Sequence, residues 1–180
     1  MSQLPLLHLQ ATSACALLVR PRWPADHVAI DPDTLNALLA VQRTLPARMR
    51  LVLTRAYEHR ASGPGGVRKI MRIVGRRLFV TLYPGRRDEL EDIFCTNGHD
   101  QDGTHVDVAI ALDGTPLQFL PLGVFTPLAV QRRRSARHHD ALATVKAALA
   151  SHGFRIHRNG TESLQIHCDY LPARTSRDCA

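Results

Sequence analysis

The sequence predicts an α+β fold, a single domain in which helices flank a central, mainly antiparallel sheet. Residues 104–112 have the two-residue period of a strand, with large apolar side chains at 106, 108, 110 and 112 on one face and His, Asp and two Ala at 105, 107, 109 and 111 on the other. Residues 154–157 and 164–170 flank an Asn-Gly pair, which is typical of a hairpin turn. Residues 140–151 have helical periodicity and precede Gly153, a common helix terminator. Helices and hairpin-compatible strands in one chain indicate the α+β class.

The N-terminal part is predicted to contain a short strand and a helix. Residues 14–19 are apolar enough for a buried strand. Asp31 can cap a helix that has Pro32 in its first turn, and Pro46 closes it. Leucines recur at helical spacing between these two prolines, which predicts one buried helix face.

The middle of the chain is less regular. Residues 49–54 are predicted to form a strand, and the glycines and proline of residues 61–66 predict a loop. Residues 67–74 are compatible with a short helix or with a strand that continues into residues 78–83. A short helix is expected at residues 88–94, which begin with acidic side chains.

Length and hydrophobic content are those of one domain. The chain has 180 residues, 44% of them hydrophobic, enough for one well-formed core. We therefore expect residues 1–180 to form one domain. Residues 1–48 would form its N-terminal strand and helix, residues 49–170 the core that carries the site, and residues 171–180 a frayed tail.

The charge balance is basic. Lys and Arg number 23 against 16 Asp and Glu, which gives a net charge of +7 and favours anionic partners. Aromatic residues make up only 5% of the chain, and its short basic clusters have no interleaved stacking platform. A nucleic-acid partner is therefore disfavoured, although the basic net charge does not exclude it. No segment approaches the roughly 20 apolar residues of a membrane span, so no membrane partner is expected.

Cysteine usage predicts a cytoplasmic protein. Cys15, Cys95, Cys168 and Cys179 show no paired metal-binding spacing and are too few for a disulfide scaffold. The chain up to Trp23 also lacks the early positive charge of a secretory signal. We expect all four thiols to be reduced.

Two histidine-aspartate triplets stand out as candidate metal ligands. His105 and Asp107 lie two apart on one predicted strand, and His167 and Asp169 lie two apart on another. Residues two apart share a strand face, so each triplet places an imidazole beside a carboxylate. His99, in a glycine-containing loop, precedes the first triplet. Such a set can bind a divalent metal, whereas the simpler alternative is a hydrogen-bonded pair on each solvated strand face.

From residue 49 to residue 170 the order of elements resembles a family of zinc metallopeptidases. The family includes cytoplasmic D-alanyl-D-alanine dipeptidases and D,D-carboxypeptidases. Its pattern is a strand ending in an arginine turn, then a His, a Gly and an Asp that opens an apolar strand, then a helix ending in Gly-Phe, then a strand with a final His. The matching segments here are Leu51 to Tyr57, His99 through Gly103 to Asp107, Ala141 to Phe154, and Ile166-His167.

The resemblance implies a zinc ion (Zn²⁺) held by His99, Asp107 and His167. Two imidazoles and one carboxylate leave a fourth position open, as in catalytic zinc sites. His99 lies one residue further from Asp107 than the family spacing requires. His105 is therefore an alternative ligand.

The resemblance leaves the general base open, because Leu164 occupies the position of the family's glutamate. Asp169 and Glu162 are the two candidates for this catalytic role. Asp169 shares a strand face with His167, whereas Glu162 would require the hairpin to be shifted by two residues relative to the family.

Arg55 and Tyr57 are the candidate substrate-binding residues. Arg55 ends a predicted strand, where it can bind a substrate carboxylate or a developing oxyanion. The family's arginine directly after the tyrosine is replaced by Glu58. The structural alternatives are a solvated arginine at a strand end and a tyrosine that only packs.

These residues lead to two functional expectations. The resemblance implies a zinc-dependent peptidase that hydrolyses a small D-amino-acid-containing or peptidoglycan-derived peptide. The alternative is a non-catalytic metal-binding or regulatory relative of that family. The sequence leaves the exact substrate, the metal and the oligomeric state open.

Overall fold

A six-stranded sheet forms the centre of the protein. The computed structural model describes residues 6–11, 17–22, 25–56, 65–90, 103–117, 125–157 and 164–171. The strands are β1 (Leu7–Gln10), β2 (Leu18–Val19), β3 (His27–Ile30), β4 (Met49–Arg55), β5 (His105–Leu112), β6 (Thr115–Pro116), β7 (Phe154–Ile156) and β8 (Ile166–Tyr170). The helices are α1 (Pro32–Thr44), α2 (Gly65–Leu82), α3 (Leu128–Arg137) and α4 (His139–Ser151), and a 3-10 helix covers Pro84–Glu89.

The strand order in the main sheet is β2-β4-β5-β8-β7, and the short β6 also pairs with β5. Strands β2 and β4 are parallel, while the other neighbouring pairs are antiparallel. Strands β1 and β3 form a separate antiparallel pair. The predicted α+β class and mainly antiparallel sheet, in a single small domain, are therefore confirmed.

The main hydrophobic core lies between one face of the sheet and the helices α1 and α4. Leu38 and Val41 of α1 and Val145 and Leu149 of α4 have no exposed surface. They belong to one cluster with the apolar residues of β4, β5 and β8. Because alternate residues of a strand point to opposite faces, burying this side leaves the other side of β5 and β8 available for polar residues.

Helix α1 begins as the sequence predicts. The Asp31 carboxylate accepts hydrogen bonds from the backbone N–H of Thr34 at 2.8 Å and from its hydroxyl at 3.0 Å. Gly103, at the entrance to β5, packs on this cap with a positive φ of 78°. A Cβ at Gly103 would lie 2.7 Å from the backbone nitrogen of Asp31, so only glycine allows β5 to start here.

Residues 65–82 form one continuous helix, so the helical alternative for residues 67–74 holds and the strand alternative through residue 83 is wrong. Phe79 is fully buried, and its ring centroid lies 5.2 Å from that of Tyr83. These two residues are four apart, and helical spacing places them on one side. Residues 78–83 are mostly apolar, which is compatible with a buried helix face as well as with a strand, so the sequence alone does not distinguish the two.

Other elements were predicted only in part. The antiparallel pairing of β7 with β8 confirms the hairpin arms, whereas its Asn159-Gly160 turn lies outside the described residues. A 3-10 helix occupies Pro84–Glu89 where a helix over residues 88–94 was expected, and residues beyond 90 are outside the described part. Helix α3 and strands β1 and β3 were not predicted. Among the described residues, no helix is long and apolar enough to cross a membrane.

Candidate metal centre

The two triplets lie directly opposite each other on neighbouring strands. In the antiparallel register of β5 and β8, His105 pairs with Asp169 and Asp107 pairs with His167. Each histidine therefore faces the aspartate of the other triplet. The central residues of the triplets, Val106 and Cys168, point into the main core and have no exposed surface, so the four polar residues share the opposite face. Cys168 therefore points away from the four polar residues.

Asp107 is the most enclosed of these four residues, with 2% of its surface exposed. Its Oδ1 accepts a hydrogen bond from Nδ1 of His167 at 2.5 Å and lies 3.5 Å from Nε2 of His105. On its other side Asp107 pairs in register with Arg55 of β4. Burial alone would raise the pKa of Asp107, but the hydrogen bonds from both histidines and the charge of Arg55 hold it well below its usual range.

Asp169 is held by three donors. Its Oδ1 accepts from Nδ1 of His105 at 2.8 Å, and its Oδ2 accepts from Nη2 of Arg155 at 2.8 Å and from Nε2 of His157 at 2.9 Å. Burial again opposes ionisation, and these hydrogen bonds outweigh it, so the pKa of Asp169 is also lowered. Both carboxyl groups are therefore ionised at neutral pH.

Side-chain hydrogen bonds from Thr54 and Gln165 fix the backbone of β4 and β5 next to Asp107. Thr54, buried at the end of β4, donates its hydroxyl to the carbonyl oxygen of Asp107 at 3.0 Å. Gln165 donates to the Thr54 hydroxyl at 3.3 Å. The register of β4 against β5 shifts between Leu53 and Arg55, and this irregularity brings Arg55 beside Asp107.

Two groups of three residues can each hold a metal ion. One consists of His105, Asp107 and His167, and the other of His105, His157 and Asp169. Within each group the ligand atoms lie within 4.8 Å of one another. The aspartate side chains are 3% and 8% exposed and the imidazoles 17% to 34%, so the carboxylates form the floor and the imidazoles the open side. Two nitrogen ligands and one carboxylate suit zinc and several other divalent metals.

The structure brings together part of the predicted site. Asp107, His167 and the alternative ligand His105 converge, and Asp169 and Arg55 lie beside them. The other predicted residues, namely His99, Tyr57 and Glu162, lie outside the described residues. Their roles stay predictions.

Sequence reasoning missed Arg155 and His157. Both contact Asp169, and Arg155 pairs with it in register across β7 and β8. Polar residues two apart around Ile156 repeat the spacing of the two triplets, and this signal was available in the sequence. The pairing that brings β7 next to Asp169 was not.

In comparisons with known proteins, no family model, no curated protein and no solved structure matches this chain. The site geometry and the resemblance in the order of sequence elements are therefore what support a function for this protein.

Proposed function

We propose that the protein is a zinc-dependent peptidase that hydrolyses a small D-amino-acid-containing or peptidoglycan-derived peptide. The observation that supports this proposal is the convergence of His105, Asp107 and His167 on a face open to solvent. The sequence resemblance supplies the class of reaction and substrate. His99 can still contribute a ligand, but the described geometry favours His105. A cytoplasmic location belongs to the same proposal.

The two aspartates have different roles in this proposal. Asp107 contributes the anionic ligand, and its low pKa keeps it ionised for that purpose. Asp169 accepts a hydrogen bond from Nδ1 of His105, so Nε2 of the same ring faces Asp107. A carboxylate behind a ligand histidine sets the orientation of the ring and raises its basicity. A bound zinc ion would supply Lewis-acid chemistry at this point.

The identity of the general base stays a prediction. A good base has a pKa near the working pH, and Asp169 has a lowered pKa because His105, Arg155 and His157 all donate to it. This favours a positioning role for Asp169. Glu162 is therefore the first candidate to test as the base.

Arg55 is the proposed site for a substrate carboxylate or developing oxyanion. It lies across from Asp107 at the end of β4 and is only partly buried. A guanidinium at this position can form bidentate hydrogen bonds with a carboxylate. A small peptide with a free C-terminus is the substrate class that this arrangement favours.

A non-catalytic metal-binding relative is the second candidate. Leu164, at the position of the family's glutamate, is 3% exposed and belongs to the main core. A leucine side chain cannot accept a proton, so Leu164 cannot act as the general base in place of the family's glutamate. In this alternative the ion would link β5 to β8 and stabilise the fold.

Zinc analysis of the purified protein, with hydrolysis of a panel of D,D- and L,D-dipeptides, tests both candidates. We expect at least one zinc ion per chain, and His167→Gln should lose the ion bound by His105, Asp107 and His167 together with hydrolysis. The matched control is His139→Gln, which changes a histidine whose side chain is 78% exposed. Zinc without hydrolysis would favour the non-catalytic candidate, and a chain that binds no zinc would contradict both.

A further inference from the structure

A second ligand group lies beside the first on the same sheet face. Across β5, β8 and β7, His105 pairs with Asp169 and Asp169 pairs with Arg155. The backbone N–H of His157 donates to the carbonyl of His167, which continues the same ladder by one step. We propose that His105, His157 and Asp169 bind a second divalent cation next to the ion of the proposed function, on which this inference rests.

The distances in this group are those of a site that a cation can enter. Asp169 lies 2.8 Å from Nδ1 of His105 through one oxygen and 2.9 Å from Nε2 of His157 through the other. A tetrahedral ion with bonds near 2.0–2.1 Å separates its ligand atoms by roughly 3.3 Å. The ligand atoms of the group lie within 4.8 Å of one another, so side-chain movements of at most about 1.5 Å bring them to the spacing of a bound cation.

His105 connects the two groups through its two nitrogens. Nδ1 faces Asp169, while Nε2 lies 3.5 Å from Oδ1 of Asp107. One imidazole can serve two ions only after its remaining N–H proton is released to solvent. Binding of the second ion should therefore release a proton and weaken as the pH falls.

Arg155 competes with this second cation. Its guanidinium donates to Asp169 at 2.8 Å, but its side chain is 59% exposed and can turn toward water. Because the arginine end of this ion pair is largely solvated, water can replace Asp169 as its partner and a divalent cation can displace it. Removing the competing charge should strengthen binding at this group, an effect that a purely structural role for Asp169 does not produce.

The number of zinc ions per chain tests the proposal. Protein dialysed to equilibrium against a series of Zn²⁺ concentrations is analysed for zinc and protein. We expect two ions in the unmodified chain, one in His157→Gln and two in the His139→Gln control. In Arg155→Gln the weaker ion should bind about 1.4-fold to fivefold more tightly.

The outcomes separate this inference from the proposed function. A single ion that is lost in His167→Gln and retained in His157→Gln would overturn the second site and leave the first. A single ion with the opposite response would support the second group and overturn the first. No bound zinc would overturn both. If His157→Gln does not fold, the unmodified chain and His167→Gln decide together. Two ions in the unmodified chain support the second site, and a single ion that is lost in His167→Gln overturns it. Arg155→Gln must in addition bind its weaker ion more tightly.

Discussion

The two histidine-aspartate triplets share one sequence pattern but have different surroundings. Asp107 lies on the central strand β5, between β4 and β8, and is 2% exposed. Asp169 lies on β8, one strand closer to the sheet edge, where β7 supplies Arg155 and His157. Position in the sheet, rather than the triplet itself, therefore makes Asp107 the more enclosed carboxylate and gives Asp169 two donors from β7 in addition to His105.

The central residues of the two triplets, unlike the aspartates, differ in chemistry but have similar surroundings. Val106 and Cys168 pair in register, and both are fully buried in the main core. Their surroundings are equivalent although their chemistry differs. On the core face of β5 and β8 the two central residues therefore have equivalent surroundings, whereas on the opposite face the two aspartates do not.

Asp107→Asn should have the largest effect. The amide lacks the charge that faces Arg55 and cannot accept from both histidines in the same way. We expect loss of the first zinc ion and, in the presence of a chelator, a free energy of unfolding lower by about 1–3 kcal/mol. Zinc analysis and urea denaturation measure both. Unchanged zinc content would show that Asp107 is not a ligand.

Asp169→Asn should have a smaller effect on the first ion. Loss of a carboxylate behind a ligand histidine usually lowers metal affinity about 10–100-fold. We expect the first ion to remain bound at high zinc concentration and to be lost at low concentration. A zinc titration monitored by a competing chromophoric chelator measures the change. If Asp169→Asn weakened the first ion more than Asp107→Asn, the assigned roles would be reversed.

The pH dependence of stability should report on both carboxyls. Their folded-state pKa values lie below the unfolded value of about 3.9, so the unfolded chain takes up protons first as the pH falls. Their stabilisation is complete above about pH 5 and is lost as the pH falls through the folded-state pKa. Urea denaturation of the metal-free chain between pH 3 and pH 6, about the range of this linkage, should therefore show falling stability toward acid. The slope should be shallower in Asp107→Asn, and equal slopes would argue against the lowered pKa of Asp107.

Cys168→Val should have the smallest effect. Valine already occupies the equivalent place in the first triplet, and an apolar exchange of similar volume usually costs less than about 1.5 kcal/mol. Zinc binding should not change. Burial also raises the pKa of the Cys168 thiol, so in the folded chain it should resist alkylation until denaturant is added. Rapid alkylation of Cys168 in the native protein would contradict its place in the core.

Several local features of the fold could be predicted from the sequence. The period of two in β5 and β8 decided that each histidine shares a face with its own aspartate, and Asp31 and Pro32 marked the start of α1. These features depend on neighbouring residues only. They were sufficient to indicate the class of fold and to select His105, Asp107, His167 and Asp169 as candidates.

The way in which these strands and side chains meet depends on long-range packing. The register that places His105 against Asp169 joins residues 64 positions apart, and burial of Val106 and Cys168 in one core selects it. The same holds for Arg155 and His157, whose importance depends on which strand lies beside β8. Helix α2 likewise required the packing of Phe79 to distinguish it from a strand. Periodicity assigns a side chain to a face, whereas long-range packing determines which other side chains it contacts there.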